Sequence, residues 1–312
     1  MSGWRNFVFS RFRLVDGLAD FAERGFALNR PVSRAVLEGH ARSFLYGFNT
    51  AMAGSPIGQV HVRLGSVEPE ERGFAFEGAA MACSLMDGLL LSRGRRTKAL
   101  LAGPGEEHPY VIHVGAGWAL ARLRYPGARR LLSLDPLLGW LALDGWGFSL
   151  GFFGGRRALR RHRSRRPLRA TDAVRCQGMG RSLWFIESAD PESVAVAIEA
   201  APPEHRPHLW SGVGLAATYA GGATGEELGR LAELSAGHRV HVAQGAAFAA
   251  EARRRAGHVP GYTRAAVRRL TGVDVDTAAD WTQKAAASLS GEGTVQEFLL
   301  WRREIRRLAG AE

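Results

Sequence analysis

Apolar residues recur every three or four positions through nearly the whole chain, which is the spacing that places them on one face of an α-helix. Pro31, a residue favoured in the first turn of a helix, precedes one such pattern. One face of this helix carries Val36, His40, Phe44, Gly47 and Ala51. Alternating patterns typical of strands are few, and the clearest candidate, residues 60–67, reads as a loop or short strand. The pattern predicts a mainly α protein.

Capping signals mark several helix starts. Thr224–Glu227 and Thr294–Glu297 each have the spacing of a capping box ahead of an apolar run. Asp135–Pro136 combines a capping carboxylate with a proline at the first helical position. The helix that follows is expected to end in a turn at Asp144–Gly145.

Three blocks of sequence occur twice, in the same order and at offsets of 139, 134 and 130 positions. The pairs are 39–43 with 178–182, 72–88 with 206–222, and 108–127 with 238–257. In the second pair, each copy has an arginine, an aromatic residue and then a run of Gly and Ala, which lets another backbone or a flat ligand approach closely. Two copies predict two helical repeats related by a pseudo-two-fold axis and packed as one compact unit.

The repeats divide the chain into five parts. These are an N-terminal segment (1–30), a first helical repeat (31–153), an Arg-rich linker (154–169), a second helical repeat (170–290) and a C-terminal amphipathic helix (291–312). The linker carries eight arginines and is interpreted as a solvated connector, with contact to an acidic partner or a membrane surface as the alternative. The C-terminal helix either packs on its own core or serves as a docking or homodimer helix.

Composition narrows the class of protein. The chain has 312 residues, of which 46% are hydrophobic and 23% charged, as in ordinary globular proteins. The net charge of +11 is carried by arginine, a bias typical of a GC-rich bacterial genome, and without interleaved aromatics and a recognition helix we expect no nucleic-acid partner. Two cysteines without a CxxC pair predict no metal site and a reducing compartment, and no apolar run spans a bilayer, so a cytoplasmic location is expected.

Three residues are candidates for acid–base catalysis. Glu77 is the only charge in the run of small residues until Asp87, so burial would raise its pKa and suit it to proton transfer; a helix-terminal carboxylate is the alternative. Asp144 is a polar residue in a stretch rich in aromatics and glycine. His113 is either an acid–base group or a hydrogen-bonded core histidine.

Aromatic and basic side chains are the candidates for substrate binding. We predict a largely apolar cavity between the two halves, because aromatics beside glycine-rich helices suit an apolar unsaturated ligand. The predicted aromatic residues are Trp118, Trp146, Trp184, Trp210 and Tyr219. Arg42 and Arg181, at matching places in the first repeated block, would bind an anionic group or clamp a helix terminus.

Motifs for nucleotides and for the common hydrolase mechanisms are missing, so the cofactor requirement stays open. The segments RGFAFEGAAMA, HVGAGWALARL, LDPLLGWLALDGWGF, GRSLWF and LWSGVGLAATYAGG together resemble the UnbL-like proteins of unknown function. The resemblance covers roughly residues 20 to 285. Members of that family often carry a histidine after the DG-aromatic-GF motif, where this chain has Ser149.

The resemblance implies a role beside the polyketide synthases of enediyne gene clusters in actinobacteria. It implies an enzyme that matures a linear polyene toward the enediyne core by acid–base chemistry. The alternative is a non-catalytic protein that holds the apolar polyene or docks the synthase or a membrane protein of the same cluster. Turnover that depends on a carboxylate would indicate the acid–base enzyme. Tight binding without turnover would indicate the non-catalytic binding protein.

Overall fold

The structure, a computed structural model, describes residues 13–123, 135–161 and 168–311, with only the backbone described for 157–161. These residues form fifteen α-helices, several 3-10 turns and no strand, as the apolar spacing predicts. The helices are α1 (Phe21–Arg24), α2 (Pro31–Met52), α3 (Ile57–Gly65), α4 (Pro69–Leu89), α5 (Arg95–Leu101), α6 (Pro109–Arg122), α7 (Leu141–Arg161), α8 (Ala170–Ile186), α9 (Pro191–Glu199), α10 (Arg206–Ala220), α11 (Gly225–Leu234), α12 (Arg239–Arg255), α13 (Gly261–Thr271), α14 (Val275–Ala287) and α15 (Val295–Ala309).

Seven of these helices build the framework. In the order α2, α4, α6, α7, α8, α10 and α12, each packs against the next, and the short helices α3, α5, α9 and α11 connect consecutive members. The array curves back on itself, because His40 Nε2 of α2 lies 2.8 Å from the carbonyl oxygen of Ala220 at the end of α10. The inner faces of α2, α4, α6, α7, α8 and α10 therefore surround a common space.

Glycines set the short distances between the framework helices. A Cβ atom at Gly47 of α2 would lie 1.9 Å from the carbonyl oxygen of Ala75 in α4, and one at Gly78 would lie 1.9 Å from that of Phe44. Neither position tolerates a side chain without separating the helices. Comparable contacts occur at the α6–α7, α7–α8, α8–α10 and α10–α12 crossings. The density of glycine that disfavours an isolated helix is thus used for close packing.

Several of these contacts recur in the two halves. Gly115 of α6 meets the Glu77 carbonyl, and Gly245 of α12 meets the carbonyl of Ser211, as the alignment of the second and third blocks expects. Near the first block, Gly47 of α2 meets the Ala75 carbonyl and Gly180 of α8 meets the carbonyl of Leu209. These two equivalent glycines are 133 positions apart, whereas the sequence alignment of the first block has an offset of 139. The superposition of the halves about a pseudo-two-fold axis, and the domain boundaries drawn from it, stay predictions.

Two local predictions are wrong. Residues 60–67 are neither loop nor strand, since α3 runs from Ile57 to Gly65. The expected turn at Asp144–Gly145 lies inside α7, where Gly145 lets the α6 backbone approach; a Cβ there would lie 1.9 Å from the Val114 carbonyl oxygen. The backbone of α7 departs from helical geometry later, at Gly155, which has a φ of 58°.

Other parts of the chain cover the framework. The N-terminal segment places Leu18 and Phe21 against it, and α13 to α15 pack beside α12. Phe298, Trp301 and Ile305 of α15 are fully buried, so this apolar stripe packs on the core of its own chain. Residues 154–161 of the Arg-rich linker belong to the end of α7, and residues 162–167 lie outside the described residues. No described helix is long and apolar enough to cross a membrane.

Candidate functional site

A small cavity lies at the centre of the framework, enclosed by six of its helices and capped by the N-terminal segment through Leu18. Most of its wall is apolar and aromatic. The aromatic lining residues are Phe44, Phe74, Trp118, Phe148, Phe152, Phe153, Phe185 and Tyr219. The polar side chains that line it are those of His40, Glu77, Arg181 and Tyr219. This cavity holds several charged groups inside an apolar wall, and we treat it as the candidate site.

Glu77 of α4 is the acidic group on this wall. Its side chain is 2% exposed, because Gly78 and Gly115 bring α2 and α6 against α4 on both sides of it. The Trp118 indole Nε1–H donates a hydrogen bond of 2.9 Å to Glu77 Oε1. The same indole stacks obliquely against Phe44 and Phe148. Glu77 is thus fixed by an aromatic neighbour.

Arg181 of α8 stands between two carboxylates. Its Nη1 lies 2.5 Å from Asp144 Oδ1, and its Nη2 lies 3.6 Å from Glu77 Oε1. The guanidinium also lies over the Phe148 ring, 4.9 Å from its centroid. Gln177 Nε2 donates 2.8 Å to the other oxygen of Asp144, so both oxygens of that carboxylate are satisfied. Asp144, which does not line the cavity, is the principal counter-ion of Arg181.

The unequal pairing decides the protonation of Glu77. Burial raises the pKa of Glu77; the charge of Asp144 raises it further, while Arg181 and the Trp118 hydrogen bond oppose this. Burial alone would lower the pKa of Arg181, but Asp144 and Glu77 outweigh it and the pKa is raised. One guanidinium can balance one carboxylate, and Asp144 is the closer of the two, so Arg181 stabilises the charged form of Glu77 less. With Oε1 accepting from the indole, Oε2 is the oxygen available to carry a proton.

A chain of buried hydrogen bonds leads away from Asp144. The Ser211 hydroxyl lies 3.0 Å from Gln177 Oε1 and 3.1 Å from Gln244 Oε1. Gln244 Nε2 lies 3.3 Å from Gln177 Oε1. All three side chains are 0% exposed, and they join α8, α10 and α12. This series of hydrogen bonds connects the candidate site with the packing surface of α15.

His40 is a site residue that the sequence reasoning did not single out as functional. Its Nδ1 lies 2.7 Å from Glu71 Oε1 and its Nε2 2.8 Å from the Ala220 carbonyl oxygen. Both partners are acceptors, so a ring with both nitrogens protonated satisfies them. The His40 hydrogen bond lowers the pKa of Glu71 although burial acts in the opposite direction. No local sequence signal identifies this pair, because its members lie 31 positions apart on different helices.

Tyr219 of α10 closes the same end of the cavity. Its ring meets Phe74 edge-on, with centroids 5.1 Å apart, and the Arg253 guanidinium lies 4.0 Å from the Tyr219 centroid. Burial raises the pKa of Tyr219, although Arg253 opposes this, so the phenol stays protonated. Of the predicted residues, the structure brings Glu77, Trp118, Arg181 and Tyr219 to the cavity wall.

Three predicted aromatic residues lie elsewhere. The Trp184 indole donates 2.8 Å to the Gly221 carbonyl oxygen and is fully buried between helices. Trp210 is also buried in the core, and its Nε1 has no hydrogen-bond partner. Trp146 stacks under the Arg175 guanidinium at 4.3 Å on the outer side of α7. None of the three lines the cavity.

His113 and Arg42 also lie away from the cavity. His113 is buried, with Nδ1 2.6 Å from the Pro109 carbonyl oxygen, and burial lowers its pKa. This is the environment of a core histidine. The Arg42 side chain is 59% exposed, whereas that of Arg181 is 8% exposed, so the two arginines do not occupy matching environments. The six-residue difference in the register of the first block explains the mismatch.

The cavity is small in this conformation. Its volume of about 40 Å³ suits a few water molecules rather than a long ligand. A second cavity, of about 570 Å³, lies between α8, α9 and α10 and carries none of the predicted site residues. The Cys176 thiol lines it, but burial raises the pKa of Cys176 to about 12, so the thiol is not activated. The central cavity therefore holds the more versatile chemistry, a buried carboxyl group with a raised pKa beside an ion pair in an aromatic enclosure.

Comparison with known proteins gives one match. A family model described as protein of unknown function (DUF1702) matches residues 11–309. No curated protein and no solved structure matches the chain.

Proposed function

The chain belongs to the DUF1702 family of proteins of unknown function, and we propose that it is an acid–base enzyme acting on an apolar, conjugated ligand. The observation that carries the proposal is the position of Glu77: a buried carboxyl group, with its pKa raised by burial, on the wall of an aromatic cavity. Aromatic faces stabilise a positive charge that develops on a bound ligand. A protonated carboxyl group is the form of the acid that can deliver a proton to a hydrocarbon.

The proposed reaction is the isomerisation or cyclisation of a polyene. Glu77 transfers its Oε2 proton to a carbon of the ligand, which forms a C–H bond and leaves a delocalised cation. The new Glu77 carboxylate is stabilised by Arg181 and by the Trp118 N–H group. Loss of a proton from another carbon of the ligand to Glu77 restores the acid. The net reaction moves one proton and consumes no co-reactant.

We identify the ligand, as a finer proposal, with the linear polyene released by a polyketide synthase in enediyne biosynthesis. The segments that resemble UnbL-like proteins support this assignment, and the aromatic wall is compatible with it. The reaction would take place in the cytoplasm of an actinobacterium, next to the synthase or a membrane protein of the same cluster. Because the cavity is small, the polyene enters only after wall side chains or the N-terminal segment move.

The test is proton exchange with solvent. The linear polyene incubated with the protein in D2O should gain deuterium in the product, whereas Glu77→Gln should give a rate lower by about 10²-fold or more. Glu251→Gln is the matched control, because Glu251 is a buried carboxylate of α12 that does not line the cavity. Normal deuterium incorporation by Glu77→Gln would exclude Glu77 as the acid.

The second candidate function is a non-catalytic protein that binds and shields the polyene. The closed, largely apolar cavity favours it, since a shielding protein needs burial of the ligand but no proton transfer. Under this alternative the polyene binds the wild-type protein and Glu77→Gln equally well, and no deuterium enters the ligand in either case. Equilibrium binding measured by tryptophan fluorescence, beside the exchange experiment, separates the two functions.

A further inference from the structure

A second charged cluster lies outside the cavity, at the inner face of α15. Arg302 is 0% exposed, and Arg306, one turn later, is half-buried. Arg302 Nε and Arg306 Nη1 lie 3.2 and 3.3 Å from the same acceptor, Gln244 Oε1. Two guanidinium groups therefore converge on one neutral side chain.

In the described part of the chain, neither arginine touches a carboxylate. The charge of Asp144 raises the pKa of Arg302 from a distance, but burial and the charge of Arg306 outweigh it and lower that pKa to about 9. None of the ion pairs among the described residues includes Arg302 or Arg306. The remaining contacts of Arg302 are long ones, 3.5 Å from Nη1 to the Ala173 carbonyl oxygen and 3.5 Å from Nη2 to His208 Nδ1. The neighbouring Cys176 is a neutral thiol, since burial raises its pKa to about 12. A buried cation without a counter-ion is unfavourable, and native proteins seldom retain one.

Two histidines complete the cluster. The rings of His208 and His241 lie 6.4 Å apart in an edge-on arrangement, next to the two arginines. Burial and the charges of Arg302 and Arg306 lower the pKa of His208 to about 2 and that of His241 to about 3, so both rings are neutral. His241 Nδ1 is shielded from solvent and has no hydrogen-bond partner. The cluster thus combines two unbalanced positive charges with an unused polar atom.

We propose that Arg302, Arg306, His208 and His241 form a binding site for a phosphate-type oxyanion. The guanidinium groups supply the charge and directed N–H donors, a combination that suits oxygen anions with two or more negative oxygens. The His241 Nδ1–H tautomer supplies a further neutral donor. Because Arg306, His208 and His241 are only partly buried, the site has access to solvent. Its ligand is either free phosphate or the phosphate group of a monoester.

The site is connected to the cavity but does not depend on the function proposed for it. Gln244 belongs both to the cluster and to the hydrogen-bond chain that runs through Ser211 and Gln177 to Asp144. Anion binding would orient Gln244 by withdrawing one or both arginines from its Oε1 atom. The inference stands on the uncompensated arginines alone, and its test uses no polyene.

Thermal unfolding tests the site with inorganic phosphate as the probe. At constant ionic strength, replacing chloride by millimolar phosphate should raise the Tm of the wild-type protein by several degrees in a saturable manner. Arg306→Met should lose this shift. Arg303→Met is the matched control, because Arg303 is the exposed neighbour on the same helix and its removal changes the net charge equally. The control should keep the wild-type shift.

A second variant protects the test against a folding defect. Arg302→Met removes the unbalanced buried charge, so its Tm without phosphate should equal or exceed that of the wild type, and phosphate should not raise it. Phosphoserine in place of phosphate distinguishes a site for phosphate monoesters from a site for free phosphate. Stabilisation by both compounds assigns the site to monoesters. Stabilisation by inorganic phosphate alone assigns it to the free ion. Equal shifts in all variants, no shift in the wild type, or an equal effect of acetate would overturn the proposal.

Discussion

At the scale of single residues, the centre of the molecule is governed by an imbalance of charge. Arg181 contacts two carboxylates but can balance only one, and the shorter distance assigns it to Asp144. Glu77 is left with an indole N–H and a more distant cation, and burial raises its pKa. The chemical difference between the two acids comes from their distances to one guanidinium, since both are fully buried.

The first prediction concerns the stability of this trio at pH 7. Glu77→Gln replaces a neutral acid by a neutral amide that can still accept from the indole, so the free energy of unfolding should change by less than about 1 kcal/mol. Asp144→Asn should cost about 1–3 kcal/mol, because Glu77 then ionises and takes over part of the pairing with Arg181. The double variant leaves Arg181 with no carboxylate and should cost about 3–5 kcal/mol, at least about 1 kcal/mol more than the sum of the two single variants. Urea unfolding measures all three.

Non-additivity is the diagnostic feature of that series. If the cost of the double variant equals the sum of the single costs within about 0.5 kcal/mol, the two carboxylates do not share Arg181 and the proposed proton on Glu77 is wrong.

The second prediction concerns His108, which stacks on Phe76 with ring centroids 4.4 Å apart. Burial, followed by the charges of Arg72 and Arg253, lowers the His108 pKa to about 4. Between this value and the ordinary value of 6.5 the unfolded chain binds more protons, so stability rises with pH. The contribution of neutral His108 to the free energy of unfolding is fully present above pH 6.5. About 3 kcal/mol of stability is lost as the pH falls to about 4.

Urea unfolding of the wild type and His108→Gln between pH 4 and pH 7 measures this contribution. The difference in unfolding free energy between the two proteins should narrow by about 3 kcal/mol as the pH falls. A difference that stays constant across this range would show that His108 titrates alike in the folded and unfolded chains.

At the scale of helices, the sequence predicts where apolar faces lie but not which helix they meet. Residues 60–67 show that a short apolar pattern can fit both a strand and a helix. Val60, Val62 and Leu64 alternate as in a strand, yet Val60 and Leu64 also share a helix face. In the structure these two are fully buried and Val62 is 75% exposed. Gly145 shows that the partner of a helix face is not encoded locally. A glycine can mark a turn or a close helix crossing, and only the position of α6 decides between them here.

The candidate site shows the same division. The lone charge of Glu77 among small residues is visible in the sequence, because burial of a carboxylate is chemically distinctive. Its contact with Arg181 depends on the register of α4 against α8, and no local pattern encodes that register. The His40–Glu71 pair and the Arg302 cluster escaped prediction for the same reason.

The third prediction tests the glycine crossings with two substitutions in α2. Gly47→Ala should destabilise the protein by about 2 kcal/mol or more, because its Cβ would lie 1.9 Å from the Ala75 carbonyl oxygen and force α2 and α4 apart. Gly39→Ala is the control: nothing lies within 4 Å of its Cβ, and alanine should stabilise the helix by about 0.5–1 kcal/mol. Thermal or urea unfolding gives both values. Equal effects of the two substitutions would mean that α2 and α4 do not cross at Gly47.

At the scale of the whole molecule, the cavity is capped by the N-terminal segment, whose helical elements are short. The framework helices are long, whereas the regular elements in the described part of the N-terminal segment are a 3-10 turn (Asp16–Ala19) and the four-residue helix α1. Leu18 of this segment lines the cavity. Short elements with few buried contacts open at lower free energy than the core of a protein. This makes the segment the expected entry route for a ligand that is larger than the cavity.

The last prediction is that residues 13–30 open independently of the framework. Asn49 of α2 holds the segment through two hydrogen bonds of 2.9 Å to the Leu14 backbone. Asn49→Ala removes both, at about 1 kcal/mol each, so amide hydrogen exchange in the segment should accelerate about tenfold or more while exchange in α8 stays unchanged. Asn29→Ala, at an exposed position, serves as the control and should leave both rates unaltered. Mass spectrometry resolves the two regions. Exchange of the segment only together with α4 and α8, in global unfolding, would exclude it as the entry route.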